Sequence, residues 1–135
     1  MIFEILLFLS QDLNTNKMIF KILSNISGLS KLVAQYQTFQ IPDKFILTSQ
    51  TIQIGMVKYR RCVSVKADKS GLFLLIKVPL WKTRKILIPW KDLKLTGYTK
   101  IYWEPAVSLI VGENYLATIA VPMQVFYLMK PFIND

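Results

Sequence analysis

Residues 62–78 read "CVSVKADKSGLFLLIKV", and this stretch decides the fold. Val63 and Val65 alternate with Ser64 and Lys66, while Leu72, Leu74, Ile76 and Val78 form a second row of period two. Side chains along a strand point to opposite faces in turn, so this alternation predicts strands with one face buried. Between the rows, "ADKSG" is a turn cluster in which Gly71 can take a positive φ. The chain therefore makes a β-hairpin here, and a hairpin needs further strands to close a core.

Working outward, those strands are easy to find. Ile52, Ile54 and Met56 alternate with Gln53 and Gly55 from about Thr48 onward. After a "PLWKTR" loop, "KILIPW" resumes as a strand, and Pro89 near its end removes a backbone donor, which suits an edge or a bulge. Two further strands are expected over roughly 93–103. "AVSLIVGENYLATIA" reads as a hairpin turning at Gly-Glu-Asn, with Val107, Leu109 and Val111 set against Tyr115, Ala117 and Ile119. Residues 105–129 hold one charge, Glu113, and invite reading as a membrane span. A carboxylate near the middle of a span costs about 2.5–3.5 kcal/mol, which favours the hairpin.

Helical periodicity flanks the strands. Ile19, Ile22, Leu23, Ile26, Leu29, Val33 and Tyr36 recur at steps of three and four, predicting an amphipathic helix over 18–39 that kinks or restarts at Ser27–Gly28. "VPMQVFYLMK" predicts a short closing helix after Pro122. The expected fold is α+β and mainly β: an N-terminal helix, about seven antiparallel strands in a sandwich or partly open barrel, and a short C-terminal helix. Residues 1–17 form an apolar N-terminal segment, 18–39 the helix and 48–135 the β-domain. The first segment suits a peripheral anchor or an alternative start upstream of Met18; it lacks the features of a secretory signal and is too short to span a bilayer.

The net charge of +9 is unevenly spread. Residues 58–100 hold 12 of the 17 basic side chains against Asp68 and Asp92, a local balance of +10. Such a segment concentrates anions and admits an anionic lipid surface, an acidic protein or nucleic acid as partner. A solvated outer face of alternating strands would carry the same lysines.

Several chemistries are excluded outright. The chain has no histidine, so Ser-His-Asp triads, Cys-His pairs and histidine-bearing zinc sites cannot form. One cysteine, Cys62, permits no internal disulfide and no thiolate metal cluster. Arg60 and Arg61 beside it would lower a thiol pKa, but strand neighbours point to opposite faces and cysteine favours burial, so Cys62 reads as structural. Asp92 and Glu104 flank adjacent strands without a visible cleft; Asp92 reads as a turn residue bonding backbone N–H groups. No cofactor is expected, and the chain reads as non-catalytic.

The candidate site lies in "IKVPLWKTRKILIPWKDLKL", residues 76–95. Trp81 sits in a loop collared by Lys77, Lys82, Arg84 and Lys85, a combination that suits a membrane interface or a nucleic-acid strand. Four basic groups near an anionic bilayer supply roughly 4 kcal/mol, a contact of about millimolar strength. Stable attachment needs a second signal, which the apolar row Ile2–Leu9 can supply. Trp90 reads as core and Trp103 stays open between core and surface.

One resemblance adds to this reading. The motifs carried by Tyr59, Cys62, Gly71, Leu72, Leu74, Pro79, Ile88, Pro89, Trp90, Asp92 and Leu93, with the upstream "SGLSKLVAQY" helix, resemble those of small bacterial proteins of unassigned activity that contain a pleckstrin-homology-like β-domain. The likeness covers roughly residues 27–95 and implies that fold without implying catalytic residues. The expected role is a non-catalytic module on an anionic membrane surface or a membrane-bound partner, peripheral to the cytoplasmic face and without a complete transmembrane helix. A soluble protein-interaction domain is the alternative, and a single-strand nucleic-acid binder ranks third.

Overall fold

A computed structural model describes residues 3–5, 28–40, 42, 44–78 and 82–133. Its sheet comprises β1 (Phe3–Ile5), β2 (Leu47–Ile54), β3 (Val57–Asp68), β4 (Gly71–Ile76), β5 (Arg84–Ile88), β6 (Leu93–Ile101), β7 (Glu104–Val111) and β8 (Ala117–Pro122). Helix α1 (Leu29–Tyr36) precedes the main strands and α2 (Met123–Met129) follows them, with a 3-10 turn at Trp90–Asp92. Seven antiparallel strands run in the order β5-β4-β3-β2-β8-β7-β6 and curl into a half-barrel. The mainly β fold with a helix at each end is the expected one.

The decisive hairpin forms as its alternation requires. β3 and β4 pair from Val63↔Ile76 to Asp68↔Gly71, and Val63, Val65, Leu72, Leu74 and Ile76 are all buried. Gly71 has φ +146°, and a Cβ there would lie 2.3 Å from the Ile88 carbonyl oxygen. No side chain fits so close to the neighbouring strand.

The curl gathers one core. Ile52 and Ile54 of β2, Tyr59 of β3, Ile86 and Ile88 of β5, Val107 and Leu109 of β7 and Ile119 and Val121 of β8 share it. Leu29, Leu32 and Tyr36 of α1 close one opening, and Val125, Phe126 and Met129 of α2 add a second cover. Behind α1, Gln37 bridges to Ile86 and the Thr38 N–H donates to the Lys85 carbonyl, which shields the β5 edge. Strand β6 forms the opposite edge, guarded by exposed Lys94 and Lys100 and by a bulge before Gly97.

The restart expected at Ser27–Gly28 is seen at Gly28, which takes the left-handed conformation before α1; residues 18–27 lie outside the described residues. Three expectations change. The region 93–103 holds one strand rather than two, because β6 runs unbroken to Ile101. Phe3–Ile5, within the segment read as a possible anchor, pairs in parallel with Val57–Tyr59 and is a sheet strand. Asp92 is not simply a turn residue that binds backbone amides: its carboxylate accepts a hydrogen bond from the Tyr36 hydroxyl at 2.9 Å.

The residues 105–129 fold as the expected hairpin and helix, with Gly112–Tyr115 in the turn. Among the described residues no helix is long and apolar enough to cross a membrane.

Candidate functional site

The site grows from two irregularities in one strand pair. Between Ile52↔Tyr59 and Gln50↔Val63, β2 advances by two residues while β3 advances by four. Between Gln50↔Val63 and Leu47↔Val65 the excess passes to β2. Ser49 and Arg61 absorb these bulges at φ 54° and 53°. Regular alternation would aim Arg61 into the core beside Tyr59 and Val63. The bulge instead turns it out, so Arg60 and Arg61 are both exposed on successive positions. The Arg61 N–H, displaced from a regular ladder, donates to Thr51 Oγ1 at 3.1 Å.

The second wall comes from the β6–β7 hairpin. Ile101↔Glu104 closes a two-residue loop whose residues, Tyr102 and Trp103, have φ 49° and 71°. Positive φ at both positions belongs to a type I′ turn, normally built from Asn and Gly. Here two aromatics occupy it. Trp103 is 89% exposed, and the Tyr102 ring lies under Lys58 Nζ at 4.6 Å and Arg60 Cζ at 5.5 Å. The Tyr102 hydroxyl is buried without a hydrogen-bond partner among the described residues. Left-handed backbone at such residues costs about 1–3 kcal/mol each.

These walls part where β2 leaves β8. The two strands pair only at Gln53↔Ala120 and Ile54↔Ile119, then separate. The gap is a cleft of about 560 Å³ whose polar lining includes Thr51, Arg60, Arg61, Tyr102 and Glu104. Pro105, Pro122 and Met123 supply its apolar flank. Gln124 Nε2 donates to Gln50 Oε1 at 2.7 Å, joining the walls by side chains where the ladder stops. Among the described residues, three of the five non-glycine residues with positive φ line this cleft: Ser49, Arg61 and Tyr102. Concentrated strain together with paired guanidinium groups marks it as the candidate site.

The expected site residues fall around a neighbouring loop. The Lys77 N–H donates to the Cys62 carbonyl at 2.8 Å, so the β4–β5 connection begins one residue from Arg61. Lys77 and Lys82 are exposed. Arg84 lies against Leu29, Ser30, Val33 and Ala34 of α1, whereas Lys85 borders Phe45 and Phe73 on the other face of the sheet. The strand alternation thus divides those two charges. Trp81 lies outside the described residues.

Cys62, Tyr59 and Trp90 resolve as structural. Burial pushes the Cys62 thiol up to about 11, leaving about a hundredfold less thiolate at neutral pH than an open cysteine. Tyr59 is fully buried. Trp90 stacks on Phe132 at 5.5 Å and donates its indole N–H to the Asp68 carbonyl, a packed role as expected. Asp92 and Glu104 belong to opposite ends of the β6–β7 hairpin, since Leu93 pairs with Val111 and Ile101 with Glu104. Eight strand residues separate those ends by about 26 Å, too far for a general acid–base pair. Among the described residues no group of three potential metal ligands comes together.

Sequence reasoning missed the Arg60–Arg61 cleft because it assumed unbroken alternation. The available signal was the run "YRRC", two adjacent cations inside a strand whose neighbours are apolar. No family model, curated protein or solved structure matches this chain.

Proposed function

We propose that this chain is a non-catalytic docking module that associates peripherally with the anionic cytoplasmic face of a membrane. One observation carries the reading: a fully presented Trp103 at a strained hairpin tip beside the cations of the bulged strand, Lys58, Arg60 and Arg61. Tryptophan favours the membrane interface, and clustered cations are drawn to anionic lipid. Lys77 and Lys82 extend the basic rim along the β4–β5 connection. Five such groups contribute about 5 kcal/mol, so the exposed indole provides the second signal that stable attachment requires. The pleckstrin-homology-like relationship belongs to the same proposal, supported by the curled sheet and its C-terminal helix.

Sedimentation with vesicles tests the reading. The full chain should bind vesicles containing phosphatidylglycerol at low salt and leave them at high salt. Arg60→Gln with Arg61→Gln removes about 2 kcal/mol and should weaken binding about thirtyfold. Trp103→Ala should weaken it further without altering thermal unfolding. Equal binding to neutral vesicles, or none to anionic ones, refutes the proposal.

A second reading has one observation in its favour. The β6 edge is open among the described residues and carries Tyr98, 77% exposed, which suits a protein-interaction surface. Loss of partner capture on Tyr98→Ser, with vesicle binding absent throughout, would favour it.

A further inference from the structure

The cleft between β2 and β8 holds charges of both signs that do not neutralise one another. Arg60 and Arg61 stand on one wall and Glu104 on the other. Among the described residues the ion pair formed is Lys66–Asp68, so Glu104 bonds neither arginine. Two guanidinium groups side by side suit a phosphate, which is dianionic as a monoester and monoanionic as a diester and in both forms offers oxygens to more than one guanidinium. Planar forks of N–H donors also suit the several oxygens of a phosphate. Glu104, an acceptor when ionised, calls for a donor on the same ligand, and an ammonium group satisfies it in both charge and hydrogen bonding.

The volume agrees. About 560 Å³ exceeds what a bare phosphate fills and lies within the range of small-molecule sites. Pro105, Pro122 and Met123 provide apolar contact for a short carbon linker or the first atoms of a longer chain. The left-handed backbone at Ser49, Arg61 and Tyr102 persists only where the surrounding strands hold it, so the sheet sets the walls, which lowers the ordering cost of binding.

We propose that this cleft binds a phosphate ester that also bears an ammonium group, with phosphate on Arg60 and Arg61 and ammonium against Glu104. The proposal rests on the basic rim invoked for membrane docking and names the chemistry that rim selects. Such an ester can be a free small molecule or the ethanolamine head of a phospholipid; the free monoester brings a dianion and the lipid diester a monoanion, and both present phosphate oxygens and an ammonium group.

Calorimetric titration of the full chain with phosphoethanolamine, inorganic phosphate and ethanolamine tests it. Phosphoethanolamine should bind at least tenfold more tightly than inorganic phosphate, and ethanolamine alone should not bind. Glu104→Gln should erase that tenfold preference while phosphate binding persists. Arg60→Gln with Arg61→Gln should abolish binding of both phosphates, with thermal unfolding reporting an intact fold. Equal affinity for phosphate and phosphoethanolamine, or a preference that survives Glu104→Gln, overturns the proposal.

A second arm separates the sources. Adding phosphatidylethanolamine to phosphatidylglycerol vesicles should raise affinity if the ligand is a lipid head. Binding of soluble glycerophosphoethanolamine without such a rise identifies a free ester, and either result supports the cleft chemistry. Vesicle binding with no discrimination among the soluble probes overturns the cleft proposal and leaves docking intact. Discrimination among soluble probes without any vesicle binding does the reverse.

Discussion

At Arg61 a single torsion decides where a charge goes. With extended backbone its side chain would enter a core shared with Tyr59 and Val63; at φ 53° it joins Arg60 on the cleft wall. Tyr102 and Trp103 make the same trade, accepting left-handed backbone to place an aromatic pair at a hairpin tip. Replacing them by Tyr102→Asn and Trp103→Gly gives the residues a type I′ turn favours. The double variant should raise unfolding stability by about 1–2 kcal/mol, read by chemical denaturation, while vesicle binding drops sharply. Lower stability would show that the cation–aromatic contacts of Tyr102 outweigh its strain. The turn was invisible beforehand because neither residue is a turn former and the strand leading into it, Leu93–Ile101, is largely polar.

At the scale of elements, alternation was a good guide wherever one face was buried and misled where a bulge intervened. The rows in β3, β4 and β7 were legible from residue types alone, and so was the short helix after Pro122. Strand β1 was not: three residues, Phe3, Glu4 and Ile5, are too few to carry a register, and their partner lies more than fifty positions away. Its role follows from β3, whose far edge is taken by β4 only from Val63 onward, leaving Val57–Tyr59 to β1. A chain beginning at Met18 should therefore lose about 1–3 kcal/mol of stability, measured by urea unfolding, through unpaired backbone on that edge. Unchanged stability would mean that water serves those groups as well as β1 does.

Across the whole molecule, one contact ties elements that are distant in the chain. Tyr36 at the end of α1 donates to the Asp92 carboxylate, and the Gly112 N–H in the β7–β8 turn donates to the Asp92 carbonyl at 2.7 Å. Burial, the hydrogen bond to Asp92 and the nearby charges of Asp92 and Glu113 push the Tyr36 hydroxyl from 10.0 up to about 12. A raised pKa means that the folded state favours the protonated phenol. Its contribution is complete below pH 10 and disappears as pH rises through about 12. Tyr36→Phe should cost about 1–2 kcal/mol at neutral pH and shrink the loss of stability between pH 10 and 12, followed by urea midpoints. An unchanged alkaline slope would assign that loss to other groups.

The sequence by itself determined that this chain makes a mainly β domain with a helix at either end, because hydrophobic periodicity is a local property that burial must respect. It also determined that the middle is basic and that histidine chemistry is excluded. Only the tertiary structure decided which cations meet. Arg84 and Lys85, adjacent in sequence, are sent to opposite faces by strand alternation, while a bulge turns Arg60 and Arg61 to the same side. Strand pairing then brings Tyr102 and Glu104, some forty residues away, to the same cleft. A site assembled across a sheet depends on register, and register depends on where the whole chain places its bulges.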